Sequence, residues 1–407
     1  MVTAAGHYFA VEGFSHNSRC VIALTVVFQG NMSLEEVQEV WFKQAVNARH
    51  QDGFNQFRYP ELQQYLTSWM GFKFWKSDPK FHIKNHVTHY KPDDSISSFN
   101  EADLHNLHEY LHNTPFPPKR SPWDVLVVRN YQSETLQEVT RSRKVKPMTL
   151  VAFRFHHCLA DGYSIQQVLV EGVLGTPVNA IPRPSPSLIE PQSKSHQLLR
   201  VLATPYRMFY DAAHFLEMGF GNIPWIVRDK EKAWMQVVSL TPMIPVNSIK
   251  NIKNSQNVSF TSVLISAITG AVRKLLLKKE FSFDGCRMPT VFALPLSNHP
   301  HKLRNHFTLA YMDIPLEEDN PITRLERCNK ILLNSKRSSL PILCRYMMIL
   351  YGSSFHWMVR LFTKNRMIPL GITNFPGLDV QIGLPGRVCL EVCGSAGPAA
   401  GCAGKIS

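Results

Sequence analysis

The stretch MTLVAFRFHHCLADG, residues 148–162, decides the fold. Its first eight residues are mostly apolar, with several β-branched and aromatic side chains, which predicts a buried strand. His156 and His157 come next, Asp161 and Gly162 follow, and then apolar residues recur at helical spacing. The order is therefore strand, two-histidine loop and helix, which places the histidines at the mouth of a sheet.

This loop carries the residue types needed to move a proton. A neutral imidazole is the side chain best suited to deprotonate an alcohol or thiol near neutral pH. Asp161 can fix the loop or an imidazole, and Gly162 allows backbone angles that other residues resist. The plain alternative is one core histidine and one surface histidine beside a tight turn. We expect no metal, because adjacent residues of an extended strand point to opposite faces and do not easily share one ion.

The length of the chain predicts two domains, since 407 residues exceed one ordinary core. Residues 175–193 hold five prolines and have the composition of an interdomain linker. We expect an N-terminal lobe at 1–178, a proline-rich linker at 179–195, a C-terminal lobe at 196–393 and a glycine- and alanine-rich tail at 394–407. The tail shows no strand or helix pattern.

The net charge of +13 is unevenly placed. Residues 1–178 hold 17 Lys and Arg against 17 Asp and Glu, whereas residues 179–407 hold 27 against 14. The excess in the second half favours an anionic partner, which could be a phosphorylated cofactor, an acidic membrane face or nucleic acid. A basic solvated surface without a partner explains it equally well. Positive charge is the only feature that would favour a nucleic-acid partner, so we expect none.

Cysteine usage fits thiols that face the cytosol, and hydropathy leaves contact with a membrane surface open. The eight cysteines form no Cys-x-x-Cys pair, which favours reduced thiols over a zinc module or a disulfide framework. We expect no signal peptide, and no uncharged apolar stretch reaches the roughly 20 residues that span a bilayer. Tyr346–Val359, with aromatic residues, methionines and basic flanks, fits a helix at a membrane surface and equally a core helix with charged ends.

Periodicity predicts further elements along the chain. A capping box at Ser33 and Glu36 opens a helix to about Val46, and Phe260–Lys279 has apolar residues at helical spacing. The remaining predicted strands are Cys20–Phe28, Phe81–Tyr90, Trp123–Arg129, Pro289–Pro295 and Phe307–Ile314.

Several segments together resemble one acyltransferase family. They are HHCLADGYSI at 156–165, Tyr59-Pro60-Glu61-Leu62, Asp78–Val87, Arg120-Ser121-Pro122-Trp123, Arg304-Asn305-His306-Phe307 and Thr373-Asn374-Phe375-Pro376-Gly377. The likeness covers roughly residues 55–385 and is to the bifunctional wax ester synthase/acyl-CoA:diacylglycerol acyltransferase family. That family belongs to the CoA-dependent acyltransferases that share the chloramphenicol-acetyltransferase fold.

Two departures from the family pattern bear on activity. Thr261-Ser262 replaces the family's Asn-Asp pair at the start of a long helix. Family members also continue past Thr-Asn-x-Pro-Gly into further sheet and a closing helix, whereas this chain turns into the tail. We therefore expect a second lobe that is incomplete at its C-terminus.

The resemblance implies an α/β fold of two lobes, with mixed sheets and a tunnel between them. On this basis His157 is the general base that deprotonates the acceptor hydroxyl, and His156 buttresses the loop. Asp161 orders the loop through a salt bridge to an arginine, and Gly162 permits the turn. Thr373 and Asn374, with Asn305, are the candidate oxyanion or substrate residues. The family implies no metal, no cofactor beyond acyl-CoA as co-substrate, and no covalent acyl-enzyme.

The function that the resemblance implies is transfer of a fatty acyl group from acyl-CoA to a lipid hydroxyl. The acceptor is diacylglycerol, giving triacylglycerol, or a long-chain fatty alcohol, giving a wax ester. Both acceptors live in membranes, so we expect a membrane-associated, cytosol-facing protein at the endoplasmic reticulum, plasma membrane or lipid droplets. A catalytically weak or inactive lipid- or CoA-binding relative is the alternative, and a peptide-condensation or carnitine-type acyltransferase of the same fold is another.

Overall fold

The computed structural model of the chain describes residues 1–10, 20–50, 55–90, 99–139, 147–176, 194–217, 237–241, 243–296, 299–300, 302–362, 368–374, 382–384, 386–396 and 404–406. Most of the predicted linker lies outside the described residues, as do Phe375, Pro376 and Gly377. The domain boundaries at 178 and 196 therefore stay predictions.

The described part of the chain contains both strands and helices. The strands are β1 (Val21–Gln29), β2 (Gln64–Trp69), β3 (Phe72–Ser77), β4 (Val87–His89), β5 (Phe99–Asn100), β6 (Trp123–Gln132), β7 (Met148–His156), β8 (Pro289–Pro295), β9 (Phe307–Asp313), β10 (Leu370–Ile372), β11 (Gly383–Leu384), β12 (Arg387–Ala396) and β13 (Gly404–Ile406). The α-helices are α1 (Ala4–Ala10), α2 (Leu34–Trp41), α3 (Asp103–Asn113), α4 (Glu134–Val139), α5 (Gly162–Gln167), α6 (Lys194–Glu217), α7 (Val246–Ser255), α8 (Phe260–Lys278), α9 (Pro321–Arg337), α10 (Leu340–Gly352) and α11 (His356–Phe362).

The first lobe is built on a seven-stranded mixed sheet in the spatial order β11, β12, β1, β7, β6, β4, with β5 beside β6. Strand β7 is buried at all nine positions and pairs antiparallel with β1 and β6. Helices α2 and α5 cover one face of the sheet, where Trp41 lies, and α3 covers the other face through Leu107 and Leu111. The predicted strands that correspond to β1, β6 and β7 are confirmed.

The helix predicted from the capping box is also confirmed. The Ser33 hydroxyl accepts a hydrogen bond from the Glu36 N–H, and the Glu36 carboxylate accepts one from the Ser33 N–H. These two bonds satisfy donors that would otherwise be unpaired at the start of α2. A π-helical turn at Phe42–Val46 extends α2 to the predicted end.

The strand predicted at Phe81–Tyr90 is mostly wrong. The structure has a short 3₁₀ turn at Ile83–Asn85, and only Val87–His89 pairs as strand β4. The His82 ring accepts a hydrogen bond from the Lys84 N–H. This local side-chain bond stabilises a turn in place of a strand, in the way that side-chain bonds compete with sheet pairing.

The second lobe has a four-stranded sheet in the order β13, β10, β8, β9. Strand β8 pairs parallel with β10 and antiparallel with β9, and the strands predicted at β8 and β9 are confirmed. The predicted long helix is confirmed as α8. In the described residues α8 alone is long and apolar enough to cross a membrane. It packs on α9 and buries Ile265, Val272 and Leu276 in the second core, as a core helix does.

The C-terminal region contradicts the expectation of a tail without strands. Strand β12 crosses to the first lobe and pairs antiparallel with β1 from Ile22↔Ala396 to Phe28↔Cys389, and β13 pairs with β10. A side chain on Gly394 would come within 3.0 Å of Leu24, so glycine here permits the close approach. The composition of a loop thus hides a strand that packs tightly against its neighbour.

The side chain of Ser395 anchors this crossing strand in the first lobe. Its hydroxyl lies 2.7 Å from His108 Nδ1 and 2.8 Å from His112 Nε2. Thr25 Oγ1 lies 3.4 Å from the other nitrogen of His108, and burial lowers the pKa of His108 to about 4. The neutral His108 therefore bridges β12 and β1 inside the core.

Candidate active site

The two-histidine loop lies where β7 ends and α5 begins, as predicted. His156 is the last residue of β7, and Asp161 caps the N-terminus of α5 by accepting a 2.8 Å hydrogen bond from the Ser164 N–H. Gly162 is the first helical residue and is not among the described glycines with positive φ. The prediction that Gly162 supplies an unusual backbone angle is therefore wrong, and the Asp161 cap makes the turn.

His156 is a structural member of the loop. Its side chain is buried, and Nδ1 accepts a 3.2 Å hydrogen bond from the Cys158 N–H. Burial, with the neighbouring His157 ring, lowers the pKa of His156 to about 3. His156 therefore stays neutral and holds the turn that presents His157.

His157 is half-buried and is held at three points. Its backbone N–H donates to the carbonyl of Cys20 at 2.7 Å, and its own carbonyl accepts a 2.7 Å bond from Asn305 Nδ2. The third contact joins His157 Nδ1 to Asn305 Oδ1 at 2.9 Å. Asn305 comes from the second lobe, so the ring faces the opposite half of the molecule.

These contacts determine the tautomer of His157. Because Asn305 Nδ2 donates to the His157 carbonyl, the amide must turn its oxygen toward Nδ1. An amide oxygen only accepts, so Nδ1 must carry the proton in the neutral ring. The lone pair then lies on Nε2, which is the form that a general base requires.

Two aromatic residues enclose the His157 ring. Phe9 of α1 stacks on its face with ring centroids 4.2 Å apart, and Phe307 of β9 lies at 5.6 Å. Phe9 was not predicted, because a phenylalanine near the N-terminus carries no signal that links it to a loop almost 150 residues away. The stacking fixes the ring plane.

Asp161 joins the loop to the second lobe, but through a histidine where an arginine was predicted. His299 Nε2 lies 3.5 Å from Asp161 Oδ1, and the His306 N–H donates to Oδ2 at 2.7 Å. Burial acts to raise the pKa of Asp161, but the bonds from His299, Ser164 and His306 prevail and lower it. Asp161 is thus an ionised carboxylate that orders the loop. His299, its partner, was not predicted from the sequence.

A second contact between the lobes lies next to the same loop. Arg304 Nη1 pairs with Glu61 Oε1 at 2.9 Å, and the Arg304 carbonyl accepts from the Asp161 N–H. The Ser121 hydroxyl donates to the Glu61 carbonyl at 2.7 Å. Three of the segments that carry the family resemblance therefore meet beside His157.

The three residues that the resemblance suggests for the oxyanion or the substrate have different surroundings in the structure. Asn305 directs its amide oxygen and one N–H to His157. Thr373 is buried and Asn374 is exposed just after β10. Their role as oxyanion donors stays a prediction.

Metal ligation has no candidate cluster in the described part of the chain. No group there brings together three His, Cys, Asp or Glu side chains in a suitable arrangement. Cys158, the thiol next to His157, is fully buried, and burial raises its pKa well above the usual range. A thiolate nucleophile is therefore not favoured beside the base.

The lobes and their junction define a class of fold, the two-lobed fold of CoA-dependent acyltransferases and condensation domains. A solved wax ester synthase/diacylglycerol acyltransferase from Marinobacter aquaeolei VT8 is 12% identical, with a TM-score of 0.56 over 97% of this chain and 86% of that one. The first condensation domain of the CDA synthetase is 9% identical, with a TM-score of 0.54 over 98% and 85%. Polyketide synthase associated protein 5 from Mycobacterium tuberculosis is 12% identical, with a TM-score of 0.51 over 97% and 85%. No family model and no curated protein matches the sequence.

Proposed function

We propose that the protein is an O-acyltransferase that moves a fatty acyl group from acyl-CoA to a lipid hydroxyl. The observation that carries this proposal is the His157 ring, held at the junction of the lobes with its lone pair on Nε2 by Asn305. A base fixed in one tautomer is what deprotonation of an alcohol requires. The fold, shared with a solved wax ester synthase/diacylglycerol acyltransferase, supports the same chemistry.

In the proposed reaction His157 Nε2 takes the proton of the acceptor hydroxyl as its oxygen attacks the thioester carbonyl. The tetrahedral intermediate collapses, the carbon–sulfur bond breaks, and the CoA sulfur receives the proton back from the imidazolium. The products are an ester and free CoA, with no acyl group on the protein. Asn305 Oδ1 faces the Nδ1–H and stabilises the positive charge that forms on the ring.

Both substrates must be held together for this reaction, which removes much of its entropic barrier. We assign the stabilisation of the oxyanion to Thr373 and Asn374. The cationic excess in residues 179–407 suits the phosphates of CoA. The mechanism needs no cofactor and no metal.

The solved neighbour named wax ester synthase/diacylglycerol acyltransferase supports a proposal for the acceptor class. We propose diacylglycerol, a long-chain fatty alcohol, or both, which gives triacylglycerol or wax ester. These acceptors lie in bilayers, so we place the protein on a cytosol-facing membrane surface, at the endoplasmic reticulum, the plasma membrane or lipid droplets.

The experiment that tests the function is an acceptor panel. Purified full-length protein is incubated with radiolabelled palmitoyl-CoA and detergent-dispersed diacylglycerol, hexadecanol, a short soluble alcohol or a primary amine, and products are separated by thin-layer chromatography. We expect labelled ester with the lipid alcohols and stoichiometric release of CoA. Tight binding of palmitoyl-CoA without ester from any acceptor would contradict an enzyme and favour a non-catalytic lipid- or CoA-binding protein.

A further inference from the structure

The outward face of α10 is apolar. Ile342, Tyr346, Ile349 and Leu350 follow helical spacing and are all exposed, whereas Met348 is buried on the opposite side. A helix on the surface of a soluble lobe normally turns polar residues outward. This face therefore has the composition of a surface that another apolar phase covers.

A second apolar feature is the tip of the β2–β3 hairpin. Met70 and Gly71 form a two-residue turn with φ values of 48° and 81°, and the ribbon belongs to neither large sheet. Trp69 and Met70 are 65% and 70% exposed. A turn exposed to water normally carries polar residues, because exposed apolar surface is costly. Large apolar side chains at this turn therefore suggest that something covers them.

The hairpin tip and the end of α10 form one surface. The Phe72 and Phe355 rings are 5.1 Å apart, and the His356 N–H donates to the Gly71 carbonyl at 2.8 Å. Trp357 is 57% exposed beside them. We call this the aromatic surface, and it consists of Trp69, Met70, Ile342, Tyr346, Ile349, Leu350, Phe355 and Trp357.

The charge of this region identifies its partner. Residues 64–77 and 338–378 contain no Asp or Glu, while Lys73 and Lys76 lie in the hairpin. Arg345 of α10 turns inward, to the carbonyls of Asn305 and Phe307, and is not part of this surface. A two-fold contact with a second copy would place this surface against itself, bringing cations toward cations. Tryptophan, tyrosine and lysine together suit the boundary between lipid headgroups and acyl chains, where anionic lipids attract the cations.

Helix α1 connects the aromatic surface with His157. The Val2 N–H donates to the Lys73 carbonyl of the hairpin at 3.0 Å, and His7 Nδ1 lies 2.7 Å from the Gly352 carbonyl of α10. From the same helix Phe9 stacks on His157. The surface and the candidate base are thus separated by a single short helix.

We infer that the aromatic surface docks the protein on a bilayer that contains anionic phospholipid and takes the lipid acceptor from it. The docking stands on the exposed residues alone, and the passage of an acceptor to His157 rests on the proposed function. Docking orients α1 toward the bilayer.

The test is co-flotation of the full-length protein with vesicles of phosphatidylcholine alone or with phosphatidylserine added. The test variant is Trp69→Ser with Met70→Ser, and the matched control is Val246→Ser with Ile252→Ser, two exposed apolar residues of α7. We expect the wild type and the control to bind the anionic vesicles. The test variant should bind at least about 10-fold more weakly, because it lacks two apolar side chains that would leave water on docking. Binding should weaken as salt rises.

Turnover on detergent-dispersed diacylglycerol separates the docking from the function. The Trp69→Ser, Met70→Ser variant, here called the tip variant, should esterify dispersed diacylglycerol at the wild-type rate. It should lose activity only on acceptor that is embedded in vesicles. Equal vesicle binding by the wild type and the tip variant, or no binding by either, would overturn the docking. Ester formation from detergent-dispersed acceptor would still support the proposed function in that case. A dimer in sedimentation velocity that the tip substitutions abolish would instead assign the surface to a second copy. Binding that depends on the tip, without ester from any acceptor, would overturn the function and leave the docking in place.

Discussion

His157 and Asn305 hold each other at two points, although 148 residues separate them in the chain. One contact fixes the ring tautomer, and the other ties the same amide to the His157 backbone. In the proposed mechanism, His157 of the first lobe therefore needs the second lobe beside it to act as a base. The proposed chemistry therefore depends on the interface between the lobes.

Replacing His157 by alanine should lower ester formation at least about 100-fold, because the general base is lost. The measurement is the initial rate of ester formation from acyl-CoA and detergent-dispersed acceptor, with circular dichroism to show that the variant is folded. His89→Ala, at an exposed histidine, is the control and should keep the wild-type rate. Wild-type turnover in folded His157→Ala would remove the basis of the mechanism.

Asn305→Asp should move the pH profile. A carboxylate beside Nδ1 favours the protonated ring, so His157 would remain protonated to higher pH and the acidic limb of kcat/KM should shift upward. Asn305→Ala should lower kcat about 10-fold or more without that shift, since the tautomer is no longer fixed. If both variants lose activity with the same unshifted profile, Asn305 has only a structural role.

Cys158 should be dispensable for the chemistry. Its thiol is buried and its pKa is raised by burial, so it stays protonated at neutral pH. Cys158→Ala should keep activity within about 3-fold, which allows for a small loss of packing. Intact-mass analysis after mixing with acyl-CoA alone should show no acyl adduct, and an adduct lost in Cys158→Ala would support a covalent route.

Much of the first lobe could be predicted from the sequence because its signals are local. The apolar run of β7, the capping box at Ser33 and the loop order around His157 depend on neighbours in the chain. The partners of His157 could not be predicted in the same way. Phe9 and His299 have no local pattern. Asn305 was singled out by resemblance, but its two contacts with His157 were not predicted.

Strand β12 shows why the composition of the C-terminal segment wrongly predicted a tail without strands. Gly394 and its small neighbours have the propensity of a loop, but in the structure they let β12 approach β1 closely. Strand pairing here depends on a partner more than 360 residues earlier, Leu24 opposite Gly394. A pattern within the segment cannot reveal such a partner.

Stability should fall in acid because of His108. Its pKa is lowered from 6.5 to about 4 by burial, so its contribution is fully present above about pH 6.5 and is lost as pH falls toward 4. A shift of this size corresponds to about 3 kcal/mol at most. Urea unfolding of wild type and His108→Gln should show a smaller acid loss in the variant, while His89→Gln keeps the wild-type slope. Equal slopes for all three proteins would contradict this account.

Asp161 should stabilise the junction of the lobes rather than tune the base. Its two oxygens accept bonds from Ser164 and from the His306 N–H, and an asparagine would turn an N–H toward one of these donors. We expect Asp161→Asn to lower the free energy of unfolding by about 1–3 kcal/mol. Activity should fall with it, because His306 is the neighbour of Asn305, but the acidic limb of the pH profile should stay in place. Ser164→Ala removes one of these donors and should cost less. An upward shift of the limb in Asp161→Asn would show instead that Asp161 acts on the charge of His157.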